Sequence, residues 1–449
     1  MEFFNWFAGV LWGWPMMILI FACGLVFSVR TGFFQIFHLG YILRSTIGKV
    51  LRGEKNVGEG VMTPWQAVST ALAGTVGNGN IAGVATAIAI GGPGAVFWMW
   101  VVAIFGMMTK MVEVSLAVEY REKDALGNFY GGPMFYIEKG LGPKWKPLAQ
   151  FFAAMMVLGA LGTAVWVQPH TMGMAMETAF NIPPIWTVTA SVALTALVII
   201  GGFKRIGSFC EKLIPFMCLF YIIASLGIII VNIADLPRVF ALIFESAFKP
   251  APAIGGFAGS TILLTMKRGM SRGMFSNEAG MGSAPMVHAT AITDHPIRQG
   301  LYGAFEVFTD TIIVCTMTAL VILTAAPDVW HSGLNGVELT FSAFQQLYGG
   351  WGTAIVAIGV LLAAYSTMVG YYIEYETSVV YLFGQKAIRF FRWIYLIPPF
   401  IAVSLSVEFV WTIVDVSTGI EGIPNMLALL LLSGKFVQLF NDFKKKEKL

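Results

Sequence analysis

Residues 73–83 read AGTVGNGNIAG, and their types suit one kind of chemistry: holding small charged species with uncharged groups. Gly77 and Gly79 leave backbone N–H and C=O groups uncovered, Thr75 adds a hydroxyl, and Asn78 and Asn80 add amide groups. Glycine costs a helix about 1 kcal/mol relative to alanine, and asparagine competes for backbone hydrogen bonds. A second stretch of this character, GMSRGMFSNEAGMG, runs from Gly269 to Gly282. Elsewhere, Gln168 stands in the apolar run GTAVWVQPH, and Ser366 and Thr367 are adjacent hydroxyls in LLAAYSTMVG. Hydroxyl and carbonyl oxygens suit a hard cation, whereas N–H groups at a helix start favour an anion such as a carboxylate.

The elements that must position these residues are membrane helices. Of 449 residues, 57% are hydrophobic and 12% charged, against about 25% charged in soluble domains. The expected class is an all-α polytopic membrane protein. A net charge of +3 is too small to suggest nucleic acid as a partner. Cys23, Cys210, Cys218 and Cys315 show no paired spacing and read as small buried hydrophobes. The N-terminal run lacks a basic region and a small-residue cleavage site, so it reads as a retained first span.

Runs of about 20 apolar residues give eleven transmembrane helices: 7–29, 63–89, 92–118, 148–178, 184–202, 209–232, 253–287, 299–325, 350–382, 389–409 and 411–440. With the N-terminus outside and the C-terminus cytoplasmic, inner segments hold 22 of the 28 basic residues, while outer loops keep Arg238 and Lys249. The positive-inside rule predicts that orientation in a cell membrane. The two glycine-rich stretches interrupt spans two and seven. Unwound backbone in lipid costs several kcal/mol per unsatisfied group, so such breaks belong where a ligand or cavity water takes up the freed groups. Matching breaks in the leading helix of two halves point to an inverted-repeat transporter. The predicted organisation is an extra N-terminal helix and inner segment (1–60), a first five-helix repeat (61–250) and a second (251–449). Packing alone would explain the Gly79/Gly83 spacing, but not the asparagines or the paired break. A nucleotide loop would need a preceding strand, and none is expected.

GGPGAVFWMWVVAIFG (91–106) and RGMFSNEAGMGSAP (272–285) resemble the signatures of the alanine or glycine:cation symporter family. The resemblance covers the whole chain. It implies the leucine-transporter-type fold, 5+5 inverted repeats with one extra helix, and Na+-coupled uptake of small neutral amino acids, mainly alanine and possibly glycine.

A zwitterion needs donors, acceptors and a side-chain pocket. Donors for its carboxylate are expected at the amides of Gly77, Asn78 and Gly79, with the Thr75 hydroxyl. Acceptors for its ammonium are expected at carbonyls near Met274 and Phe275, helped by Asn277, and Gln168 offers both functions. Met274 and Phe275 would close the pocket around a methyl group. For sodium, Ser366 and Thr367 supply hydroxyls. The leucine-transporter-type pattern adds the carbonyl of Ala363, one turn earlier, and those of Ala73 and Val76. A second sodium, bridged to the substrate carboxylate, would use Asn80 or Thr75; Asn78 and Asn80 both offer amide oxygens, and the sequence does not choose between them. Intramembrane charges are functional candidates by default. Arg272 or Lys267 is expected to pair with Glu306 or Asp310, as a gate or a static tie. Lys110 and Glu113 are expected to be structural, and His288 and His295 solvated. Ser/His, paired-Asp and HExxH arrangements do not occur in the spans, so an enzyme is not expected. The runners-up are a proton-coupled transporter and an ion channel, and no obligatory protein partner is indicated.

Overall fold

The computed structural model describes residues 2–252, 255, 257–325 and 329–448. Helices dominate it: α1 (Glu2–Leu11), α2 (Trp14–Arg30), α3 (Pro64–Thr75), α4 (Val84–Gly91), α5 (Gly94–Glu119), α6 (Lys146–Gly162), α7 (Gln168–Phe180), α8 (Pro184–Ile199), α9 (Gly202–Val231), α10 (Leu236–Phe248), α11 (Ile262–Asn277), α12 (Ala284–His288), α13 (Pro296–Val307), α14 (Thr316–Thr324), α15 (Gly336–Tyr348), α16 (Gly350–Phe383), α17 (Val407–Leu431) and α18 (Ser433–Glu447). Among the described residues, seven helical stretches are long and apolar enough to cross a membrane. Exposed Phe216, Leu219, Ile223 and Ile230 on α9 and Trp351 on α16 form the apolar exterior expected of such a protein. The expected start of the seventh span at 253 lies outside the described residues.

Local signals explain the first broken helix. Thr63 and Gln66 form a reciprocal capping box with bonds of 3.1 Å, and Pro64 occupies the first turn, so α3 starts sharply. The α-helix stops at Thr75; Val76 takes φ −78° and ψ 88°, and a π-helical turn over Gly79–Gly83 leads into α4. The unwound part is therefore only about Val76 and Gly77.

The second break lies later than the sequence suggests. α11 runs unbroken through Gly269, Gly273, Met274 and Phe275 to Asn277. The chain then turns through Glu278 (φ 55°), Gly280 (φ 96°) and Gly282 (φ 86°) before α12. The earlier glycines serve packing instead. A Cβ on Gly269 would lie 2.3 Å from the Ala95 carbonyl oxygen, and one on Gly273 would lie 2.6 Å from Val102 Cγ1. They let α11 lie backbone-close on α5, as small residues do between membrane helices.

Candidate functional site

The first break is held by its own asparagines. Asn80 Oδ1 accepts from the Gly77 N–H at 2.9 Å, so Gly77's amide, expected to face a substrate, is engaged within the protein. Thr75 likewise turns inward, its hydroxyl bonding back to the Ala71 carbonyl at 3.3 Å. Asn78 differs. Its Nδ2 donates to Gln168 Oε1 at 2.9 Å, while its Oδ1 is buried and finds no partner. The first N–H groups of the helix that starts at Asn78 and Gly79 lack intrahelical partners by geometry. Phe275 closes this space: a Cβ on Gly79 would lie 3.4 Å from its ring, and Phe275 packs with Val167, next to Gln168.

Met274 and Asn277 sit elsewhere. The Met274 carbonyl accepts the Glu278 N–H at 2.7 Å, and its methyl lies against Gly280 and Gly422. Because α11 stays helical here, the expected free carbonyl at Met274 does not exist. Asn277 donates to Thr311 Oγ1 at 3.1 Å and accepts from the Ala279 N–H at 3.0 Å, which stabilises the second turn.

Of the expected cation ligands, Ser366, Thr367, Ala363 and Ala73 lie together. Ser366 Oγ lies 2.8 Å from the Ala363 carbonyl and 3.4 Å from that of Ala73. Thr367 Oγ1 lies 3.0 Å from the Ala363 carbonyl and 3.5 Å from that of Gly74. Beside this group, a cavity of about 10 Å³ is lined mainly by apolar surface, with Val76, Ile81, Met217, Tyr221, Val314 and Ala363 among its walls, and has room for roughly one water-sized particle. Both hydroxyls are fully buried and no charged group supplies these contacts. Hydroxyl and carbonyl oxygens gathered without a charged group are the kind of ligand a small hard cation takes.

Sequence reasoning missed the role of Asp310. It was expected to meet a basic residue, yet Oδ1 accepts from Asn80 Nδ2 at 2.6 Å and Oδ2 from Ser276 at 2.9 Å and Thr311 at 2.7 Å. A fully buried carboxylate thus joins the first break to α11. Asn80 is engaged at both ends, its amide oxygen by the Gly77 N–H and its Nδ2 by Asp310. The available signal was Asp310's place inside a span.

The other charges also pair differently from expectation. Arg272 makes a two-pronged contact with Asp415, at 3.1 and 3.3 Å. Glu306 binds Lys110 at 3.3 Å and His288 at 2.9 Å, all three fully buried, so His288 is not solvated. His295 is also largely buried and meets Asp442 at 3.2 Å. Glu113 accepts from the Gly280 N–H at 3.1 Å and from Asn425 at 2.5 Å, bracing the second break. Lys110 and Glu113 hold their neighbours rather than one another, which fits a structural role.

A family model described as the sodium:alanine symporter family matches residues 1–449. The chain belongs to this family. Among the relatives of this symporter-family chain is a "Sodium/alanine symporter AgcS" from Methanococcus maripaludis, 42% identical over 444 residues, covering 97% of this chain and 96% of that one. A "Probable sodium/glutamine symporter GlnT" from Bacillus subtilis is 37% identical over 441 residues, covering 98% and 90%. The solved structure of MhsT in complex with L-phenylalanine matches with a TM-score of 0.51 at 15% identity, covering 85% of this chain and 89% of that one. At that identity the likeness speaks for the fold: a polytopic transporter of the leucine-transporter type. This family member is a secondary active amino-acid transporter and not an enzyme.

Proposed function

We propose that the protein imports small neutral amino acids, alanine first and glycine as a smaller alternative, driven by sodium through alternating access. The observation that carries the reading is Asn78 Oδ1, a buried acceptor left unpartnered at a helix break. Such an orphan costs about 1–3 kcal/mol, which a bound ammonium group would recover. The carboxylate of the same zwitterion suits the N–H groups at Asn78 and Gly79, where the helix dipole is positive. Gln168 orients Asn78 and faces the same space, and Phe275 bounds the side chain. Sodium takes the carbonyls of Ala73, Val76 and Ala363 with the hydroxyls of Ser366 and Thr367. Ion and substrate share the unwound turn between Val76 and Asn78, so each favours the geometry the other needs, and their affinities rise together.

The paired breaks support eleven spans, with 1–60 as an added helix and 61–250 and 251–449 as inverted repeats. The distribution of basic residues supports an outside N-terminus and a cytoplasmic C-terminus in a cell membrane. Relatives named for alanine and for glutamine suggest that the family tunes side-chain size at the pocket wall. Asp310 favours a second reading. A carboxylate bonded to the broken helix could hold a second cation or carry a proton in its place. Uptake of labelled alanine into proteoliposomes tests both. A sodium gradient alone should drive saturable uptake, and a pH gradient alone should not. Uptake that followed the pH gradient without sodium would replace the first reading with the second.

A further inference from the structure

Beyond Thr367 of the proposed ion site, α16 carries two polar groups that transport by the scheme above does not use. Tyr371 and Glu374 share the face of Thr367 at i+4 and i+7, which sets Glu374 about 10 Å further along the helix. By the proposed orientation this is the cytoplasmic direction. Tyr371 and Glu374 close against α3: a Cβ on Gly74 would lie 3.3 Å from the Tyr371 ring and 3.7 Å from Glu374 Oε1. The Tyr371 hydroxyl donates to Glu278 in the second break. Glu421 enters from α17, pressed so tightly on Gly159 that a Cβ there would overlap its Oε1. Gly159, on α6, precedes Gln168 at the start of α7 by two to three helical turns, again on the cytoplasmic side.

Glu374 and Glu421 are 1% and 2% exposed, and Glu374 Oε2 and Glu421 Oε1 have no hydrogen-bond partner. Cations do not balance them. Lys110 and His288 both bind Glu306, and Arg272 binds Asp415. The charged and titratable groups that face the pair are Glu278 at the second break, Tyr371 on α16, Lys110 on α5, Glu306 on α13, and Tyr395. Five buried carboxylates, Glu113, Glu278, Glu306, Glu374 and Glu421, thus confront Lys110 and at most one positive imidazole. Such an excess of bare negative charge cannot persist out of water. Among the described residues, no group of three or more His, Cys, Asp or Glu is arranged to hold a metal ion. A proton on each carboxyl is the occupant that needs no further ligand.

We propose that Glu374 and Glu421 form a proton-binding site on the cytoplasmic route, filled while that route is closed and emptied when it opens. Opening admits water, and a hydrated glutamate ionises at about pH 4.3 and above. Each carboxyl O–H bond then breaks, its proton passes to cytoplasmic water, and the carboxylate keeps the electron pair. On closure a proton returns from the same side. No proton crosses the membrane; cytoplasmic pH sets how readily the route opens. Alkaline conditions inside favour release and acidic conditions oppose it.

This rests on the alternating-access reading, so one measurement is independent of it. Infrared difference spectra of the wild-type protein should show protonated carboxyls at about pH 7, with part of the signal lost in Glu374→Gln and part in Glu421→Gln. In oriented proteoliposomes, lowering the inner pH from about 7.5 to about 6 should slow sodium-driven alanine exchange several-fold. The double Gln variant should flatten that dependence to below about twofold while keeping sodium affinity within about threefold. Absence of the carboxyl bands overturns the proposal, as does an unchanged inner-pH profile in the double variant. Loss of one bound sodium in Glu374→Gln would show a metal site and overturn it equally. If alanine exchange failed at every pH while the bands behaved as expected, the transport reading would fall and the proton site would stand.

Discussion

Gly77→Ala isolates the proposed cation site with a single methyl group. Gly77 has no positive φ, so alanine is allowed by the backbone. The new Cβ would lie 2.9 Å from Thr367 Oγ1, closer than carbon and hydroxyl oxygen normally approach, and 3.8 Å from Gln168 Oε1. Thr367 cannot yield freely: its hydroxyl bonds the Ala363 carbonyl at 3.0 Å, and rotation would carry it away from the cation position. Overpacking of this kind costs about 1–3 kcal/mol. Falling on the ion-bound state, that becomes a loss of about 5- to 150-fold in sodium affinity, at about 1.4 kcal/mol per tenfold. Gly83→Ala, in the π turn that follows, is the control, because its Cβ would meet only the Asn78 carbonyl oxygen at 3.9 Å. The assay is the sodium dependence of alanine binding to purified protein. A Gly77→Ala protein with sodium affinity within about twofold of wild type would mean that Thr367 holds no ion, since a 1 kcal/mol cost already exceeds that factor.

Asp310→Asn should reduce the steepness of the sodium dependence if the carboxylate helps to hold a second cation; unchanged steepness would make Asp310 an anchor for Asn80 and Ser276 alone. Arg272→Lys removes the two-pronged contact with Asp415, so the side bearing that pair should open more often. Buried Cys315, 3.2 Å from Ser276 Oγ, is a native reporter: an impermeant thiol reagent should label it faster in Arg272→Lys, and sodium should slow the labelling. Phe275→Ala should admit larger neutral side chains at the expense of alanine affinity, by about 1–3 kcal/mol per methylene of mismatch, read from competition assays. Gly269→Ala should lower thermal stability sharply, because the atom in its way, the Ala95 carbonyl oxygen 2.3 Å off, is backbone and cannot rotate aside.

The sequence showed where the first helix breaks because several independent signals coincide there: the Thr63–Gln66 cap sets the start of α3, and glycine and asparagine remove both reasons for it to continue past Thr75. It misplaced the second break because glycine has two uses that composition cannot separate. Gly269 and Gly273 serve close helix contact, and only Gly280 and Gly282 need the positive φ of a turn. The Ser366, Thr367 and Ala363 group was legible because its members are neighbours on one helix. Met274 was misassigned for the matching reason: one residue from Phe275 is about 100° around the helix, so the two cannot both face the pocket.

Charge partners were the least legible feature, since pairing depends on which faces meet across helices far apart in sequence. Asp310 was expected beside a cation and instead receives three neutral donors, whereas Arg272 reaches across to Asp415 on the last long helix. The outcome has a physical logic. Arginine stays charged in any setting, so its carboxylate partner is committed, and the pair can only be made or broken. A carboxylate held only by Asn80, Ser276 and Thr311 has no cation committed to it, so a cation or a proton that arrives and leaves can take that place. A helix break that must release its cargo is better served by the second arrangement. On the proposed function, that is why the neutral residues of AGTVGNGNIAG, rather than the arginines, would hold the cargo and let it go.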